Sequence, residues 1–238
     1  SAKRLAWMRI ESAKRRLLYT LFALGLPVES KRQRSNGGLA FCFMADGADQ
    51  KVFTGHSDGT VTINVAEADD PFREKMRTQL GETYRTVLGH FRHEIGHYYW
   101  DRLIAGTAWL AQFRGLFGDE SVDYQESLQR HYREGPAPDW QERFVSAYAS
   151  MHPWEDWAET WAHYLHMVDT LETARSYGLA LRARPVEGAP LPSVSTSKLD
   201  VDHFEDLMSA WVPLTLALNS LNRGMGMPDP YPFVLTAR

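Results

Sequence analysis

Cysteine is almost missing from this chain, with Cys42 the single one in 238 residues. One thiol makes no internal disulfide, and it excludes a zinc site built on several cysteines. The expected compartment is therefore reducing and cytoplasmic. Strong charge of either sign is missing too. Against 26 basic residues stand 30 acidic ones, a formal net charge of −4, so nothing points to a general nucleic-acid binder. Long apolar runs are also lacking. Residues 14–30, "KRRLLYTLFALGLPVES", begin basic and turn apolar, as a signal peptide does. However, no A-x-A pattern follows, and the run is too short to span a bilayer. Trp7, Ile10, Leu17, Leu18 and Leu21 instead mark one face of a helix that begins well ahead of that run. The expectation is an amphipathic N-terminal helix and no membrane span. The chain starts with Ser1 rather than Met, which reads as a trimmed chain or a piece of something longer.

What is present is a short β region followed by helices. "LAFCFMA" and "GTVTINVAEA" are rich in β-branched and aromatic residues and read as strands. Between them "GHSDGT" reads as a turn, with Asp58-Gly59 as its signal. Asp70 and Pro71 suit the N-cap and first position of a helix. Helices are predicted near 71–80, 83–103, 121–133, 140–150, 153–176 and 201–222. Arg182 to Lys198 is a Pro/Ser-rich loop without periodicity. A loop of that length points to a mobile element or a gate over a cleft. The expected architecture is α+β and mostly helical, one domain over residues 1–238.

The chemistry-bearing stretch is "GHFRHEIGHYYWDRL", Gly89 to Leu103. Residues four apart share a helix face, so His93 and His97 can offer two imidazole nitrogens to one ion. Glu94 follows the first histidine and can reach a water on that ion, the H-E-x-x-H arrangement of a metallohydrolase. The bland alternative is a helix with two buried, satisfied histidines. Gly96 inside this helix costs up to about 1 kcal/mol relative to Ala, which close approach of a second helix would explain. His90 reads as a core residue or an outer partner of the site, because three ligands from one helix are awkward for a tetrahedral ion.

A catalytic zinc takes three protein ligands and an open position. The extended metzincin pattern needs Gly at position 100 and His at position 103, where this chain has Trp100 and Leu103. A glutamate from a later helix is the alternative. "HPWEDWAETWAHYLH", His152 to His166, places Glu155 and Glu159 four apart behind Pro153. Glu155 can ligate the metal, and Glu159 can accept from the outer nitrogen of His93 and fix its tautomer. Ala158 and Ala162 let this helix approach Gly96. A solvated acidic face is the plainer reading of the two glutamates, but Trp154, Trp157 and Trp161 surround them. His163 and His166 are rival third ligands.

"HEIGH" and "EDWAE" together resemble the two helical motifs of the gluzincins, the zinc metallopeptidases that carry H-E-x-x-H and E-x-x-x-[DE]. The resemblance is closer still to an uncharacterised bacterial family of zinc-binding metallopeptidases. It runs through "VTINVAEADD", "HFRHEIGHYYWDRL", "ERFVSAYASMHPWEDWAETWAHYLH" and "NRGMGMPDPYPFVL", and so covers most of the chain. The resemblance implies a zincin-like fold with a small antiparallel sheet and two metal-binding helices. Members of that family often carry an N-terminal zinc ribbon, for which this chain has no cysteines, so an N-terminal piece is expected to be missing. Some gluzincins place an oxyanion-stabilising tyrosine seven residues ahead of the ligand glutamate. Here that position is Tyr148, which by spacing alone is equally a core tyrosine. Tyr98 and Tyr99 read as packing residues.

The implied function is hydrolysis of a peptide or protein with one Zn2+ per chain, held by His93, His97 and Glu155, with Glu94 as general base. The strand between Thr60 and Ala66 is a candidate edge on which an extended substrate could add. Two alternatives stand beside this reading: a zinc-binding interaction module without turnover, and a zinc amidohydrolase acting on a non-peptide amide.

Overall fold

The computed structural model describes residues 2–182, 194–195 and 203–235, in two compact units. The first comprises residues 1–163 and 233–238, the second residues 164–232. Both lie inside the span that the sequence reading treats as one domain.

The first unit opens with α1 (Ala2–Ala23). Its Ile10, Leu17 and Leu21 are fully buried, as their spacing predicts, whereas Trp7 stays 50% exposed. Three strands follow: β1 (Ala40–Met44), β2 (Gly55–Ser57) and β3 (Thr60–Asn64). Asp58 and Gly59 both take positive φ, 44° and 74°, the mirror-image turn geometry that an Asp-Gly pair favours. This turn folds β2 antiparallel onto β3, pairing His56 with Val61. On its other side β3 pairs parallel with β1, Phe41 opposite Val61. The sheet order is β1-β3-β2.

Two expectations are corrected here. The small sheet is mixed, because the chain between β1 and β2 crosses over before the hairpin forms. The strand from Thr60 is central rather than an edge, so both its hydrogen-bonding sides are taken by protein. It also ends at Asn64, not Ala66. The Asn64 side chain accepts from Ala66 N at 2.9 Å and turns the chain into a short 3-10 helix, Val65–Ala68.

Next comes α2 (Asp70–Leu80), capped by Asp69, one residue ahead of the expected cap. It stops at Gly81, whose φ of 66° is left-handed. The central helix α3 (Val87–Leu103) starts four residues later than predicted. Its true N-cap is Thr86, whose hydroxyl accepts from Gly89 N at 2.9 Å. Phe41 and Phe43 of β1 meet Phe91 of α3 edge-on, with centroids at 5.7 and 6.1 Å, so the sheet rests on this helix. After α4 (Leu110–Phe117) and α5 (Tyr124–Glu134) comes the short α6 (Trp140–Arg143). The helix expected across residues 140–150 is broken at Phe144, which is extended. Ser146 then accepts from Ala149 N at 3.1 Å and starts a 3-10 turn, Tyr148–Met151. A serine hydroxyl competing for backbone groups is a common helix interrupter.

The long helix α7 (Pro153–Ser176) matches its predicted bounds. In the first unit it crosses α3 at Gly96. A Cβ built there would lie 3.0 Å from Ala158 Cα and 3.2 Å from Trp161 Cβ. Trp157 Nε1 donates to Gly96 O at 2.8 Å, and Tyr99 stacks on Trp161 with centroids at 4.9 Å. The predicted close approach is present, with Ala158 as its partner.

The second unit contains the C-terminal part of α7, a two-stranded antiparallel pair β4 (Ala180–Leu181) and β5 (Val194–Ser195), and α8 (Phe204–Gly224). Tyr231 packs on Trp211 at 4.8 Å and is tied to Asn219 through its backbone. Most of the loop expected to gate a cleft, Arg182 to Lys198, lies outside the described residues. No helix among the described residues is long and apolar enough to cross a membrane.

Because the Gly96 contact is against backbone, a larger side chain must push α7 away. Gly96→Val is expected to cost about 1–3 kcal/mol, the usual penalty of overpacking, and to lower the melting temperature by several degrees. Calorimetry of the metal-free protein checks this. A melting temperature at or above wild type would mean that α3 and α7 are free to part.

Candidate metal centre

Helical spacing brings His93 and His97 to one face of α3, one turn apart. Pro153 starts α7, and Glu155 lies in its first turn. The crossing at Gly96 then carries Glu155 to the two histidines. His93 Nε2 is 2.9 Å from Glu155 Oε2, His97 Nε2 is 3.5 Å from the same oxygen, and the two histidine nitrogens are 3.3 Å apart. Among the described residues, these three form the one group of His, Cys, Asp or Glu with ligand atoms close enough for a shared metal, all within 4.8 Å of one another.

Glu159, one turn further on, reaches His93 from the other side, Oε1 to Nδ1 at 2.7 Å. Its second oxygen accepts from Ser146 Oγ at 2.6 Å. An ionised carboxylate only accepts, so Nδ1 of His93 carries the proton of that bond. A neutral His93 then turns the bare lone pair of Nε2 toward Glu155 and His97. Three lone-pair donors so close repel one another unless a proton or a metal ion lies among them. Ligand bonds of about 2.0–2.2 Å to tetrahedral zinc imply neighbouring ligand atoms roughly 3.3–3.5 Å apart, close to the separations seen. The donor set therefore fits a small divalent cation.

The electrostatics carry the same imprint. Burial alone lowers the His93 pKa, but hydrogen bonds to Glu155 and Glu159 win and hold it well above the ordinary histidine value. Burial alone raises Glu155, yet His93 and His97 hold its carboxyl well below the usual carboxylate range. Glu94 is buried at 8% exposure. Burial pushes its pKa up, with His93 and His97 pulling the other way.

Tyr148 tilts its ring against His93 with centroids at 6.0 Å. Burial, followed by the charge of Glu155, pushes its pKa up. Tyr124 was not singled out by the sequence. Its hydroxyl donates to Glu155 Oε1 at 2.9 Å from 31 residues away. Nothing in local spacing connects those two residues. Ser146 is a second omission, visible in hindsight only as a helix breaker.

The remaining histidines lie elsewhere. His90 is near Glu67, Nδ1 to Oε2 at 3.5 Å, and burial pulls its pKa down to about 3. It faces Glu67 rather than the cluster, as expected of a core or outer residue. His163 packs its ring on Phe233 at 4.4 Å, with its pKa pulled down to about 4 by burial. His166 packs on Trp211 and Tyr231 in the second unit. Tyr99 donates to Pro27 O at 3.1 Å and Tyr98 is buried, which are packing roles.

A protein family described as "Putative zinc-binding metallo-peptidase" matches residues 3–238. The chain belongs to this family. Relatives include an uncharacterised protein of Mycobacterium bovis and one from each of two strains of Mycobacterium tuberculosis. Each is 48% identical over 230 residues, 96% of this chain. The chain spans 65% of the length of these relatives. No solved structure matches it. The resemblance to a bacterial family of zinc-binding metallopeptidases thus holds, and that family's description names zinc.

Variants distinguish the converging glutamate from the rival histidine. Glu155→Ala is expected to abolish tight zinc binding, and His163→Ala to retain it. Glu159→Ala should weaken affinity about 10–100-fold without removing the site. Metal analysis and chelator competition measure all three. Full zinc in Glu155→Ala with loss in His163→Ala would reverse the ligand assignment.

Proposed function

We propose that this chain is a zinc-dependent peptidase of the gluzincin type, with one zinc held by His93, His97 and Glu155. The observation that carries the reading is the convergence of those three ligand atoms beside a buried carboxylate, Glu94, on the same helix. Membership of a zinc-binding metallopeptidase family supports it. The substrate is then a peptide or protein. Any added substrate strand must use the outer side of β1 or β2, since β3 is occupied on both sides.

Zinc in such a site lowers the pKa of a water toward neutrality and polarises a scissile carbonyl. Glu94 takes a proton from the attacking water as its oxygen bonds to the carbonyl carbon. Glu94 then gives that proton to the leaving nitrogen as the C–N bond breaks. A carboxyl whose pKa is raised by burial is suited to hold the proton between those events. Tyr148, against His93, is the proposed donor to the oxyanion. Glu159 and Ser146 hold His93 in the tautomer that presents Nε2.

An interaction module without turnover needs the ligands but has no use for Glu94. Glu94→Gln is expected to keep its zinc and its melting temperature while losing about 10²–10⁴-fold in cleavage rate. Tyr148→Phe is expected to keep zinc and lose about 10²–10³-fold. The assay is cleavage of a broad peptide library by the zinc-loaded protein, with a chelator control. A zinc-loaded wild type that cleaves nothing in that library would move the assignment to a binding module.

A further inference from the structure

We infer that Tyr124 is a positioning residue of the metal centre, keeping Glu155 a one-oxygen ligand. This rests on the ligand set proposed above. A tyrosine hydroxyl has one proton. Tyr124 donates its own to Glu155 Oε1 at 2.9 Å, because a carboxylate can only accept it.

With Oε1 engaged by Tyr124, Glu155 presents Oε2 alone to His93 and His97. A carboxylate free to turn could bind through both oxygens and fill the position that a hydrolytic centre leaves open.

Tyr124 is itself held firmly for a residue at a helix start. Asp123 caps α5, accepting from Glu126 N at 2.7 Å. The Tyr124 ring packs on His152 at 5.2 Å and on Trp154 at 6.2 Å. His152 is fixed in one tautomer, since Nδ1 accepts from Trp154 N at 3.1 Å and Nε2 therefore donates to Val122 O at 3.1 Å. The first turn of α7 and the start of α5 are in this way clamped around the hydroxyl.

The test compares wild type, Tyr124→Phe, Tyr148→Phe and Glu155→Ala by zinc competition with a chelator and by visible absorption of the cobalt-loaded proteins. Tyr124→Phe is expected to weaken zinc binding about 10–100-fold and to shift the cobalt bands as Glu155 changes its binding mode. Tyr148→Phe should leave both readouts at wild-type values. If Tyr124→Phe melts early in the metal-free state, 3,5-difluorotyrosine at position 124 tests the same bond with ring and hydroxyl kept. Its stronger donation must then shift the cobalt bands. Wild-type affinity and an unshifted spectrum in the Tyr124 variants, with zinc lost in Glu155→Ala, would overturn this inference and leave the ligand set standing. Zinc binding unaffected by Glu155→Ala would overturn both.

Discussion

The crossing of α3 and α7 at Gly96 is the constraint on which the site depends. His93 and His97 come from one helix, and Glu155 and Glu159 from the other. Their atoms meet within hydrogen-bonding distance only if the two backbones come close. Gly96 provides that closeness by lacking a Cβ, and Ala158 provides the complementary small surface. The Trp157 bond to Gly96 O and the Tyr99–Trp161 stack then fix the axial register of one helix on the other. A slip by one residue along α7 would turn Glu155 away from the histidines.

Much of this was legible because it is local. A four-residue repeat on a helix needs no knowledge of the fold, and it marks His93 with His97 and Glu155 with Glu159. Pro153 marks the start of α7, and the structure begins the helix there. Gly96 in mid-helix asked for a partner, and an alanine-bearing helix supplied it. The turn at Asp58-Gly59 was equally local, since only certain residues tolerate its positive φ.

The misreadings share a different origin. Whether β3 is an edge depends on where β1 runs, and no property of residues 60–66 carries that information. The break at Phe144 comes from Ser146 turning its hydroxyl to Ala149 N and to Glu159, a partner 13 residues away in another helix. Periodicity overextended α3 at its start because Thr86, a modest cap by type, outweighed the preceding residues. Tyr124 could not be found at all, because its significance exists only once α5 and α7 are side by side.

The donor set also joins distant points along the chain. His97 and Glu155 bracket α4, α5, α6 and the 3-10 turn, so an ion shared between them closes that whole stretch into a ring. Closing a loop removes freedom chiefly from the unfolded chain, and the gain grows only slowly with loop length. In this respect the ion would act as a cross-link in a chain whose one cysteine, Cys42, has no second cysteine within these 238 residues to pair with. The same ring includes Tyr124, Ser146 and Tyr148, so the groups around the ion are carried by the segment that its arrival tethers at both ends.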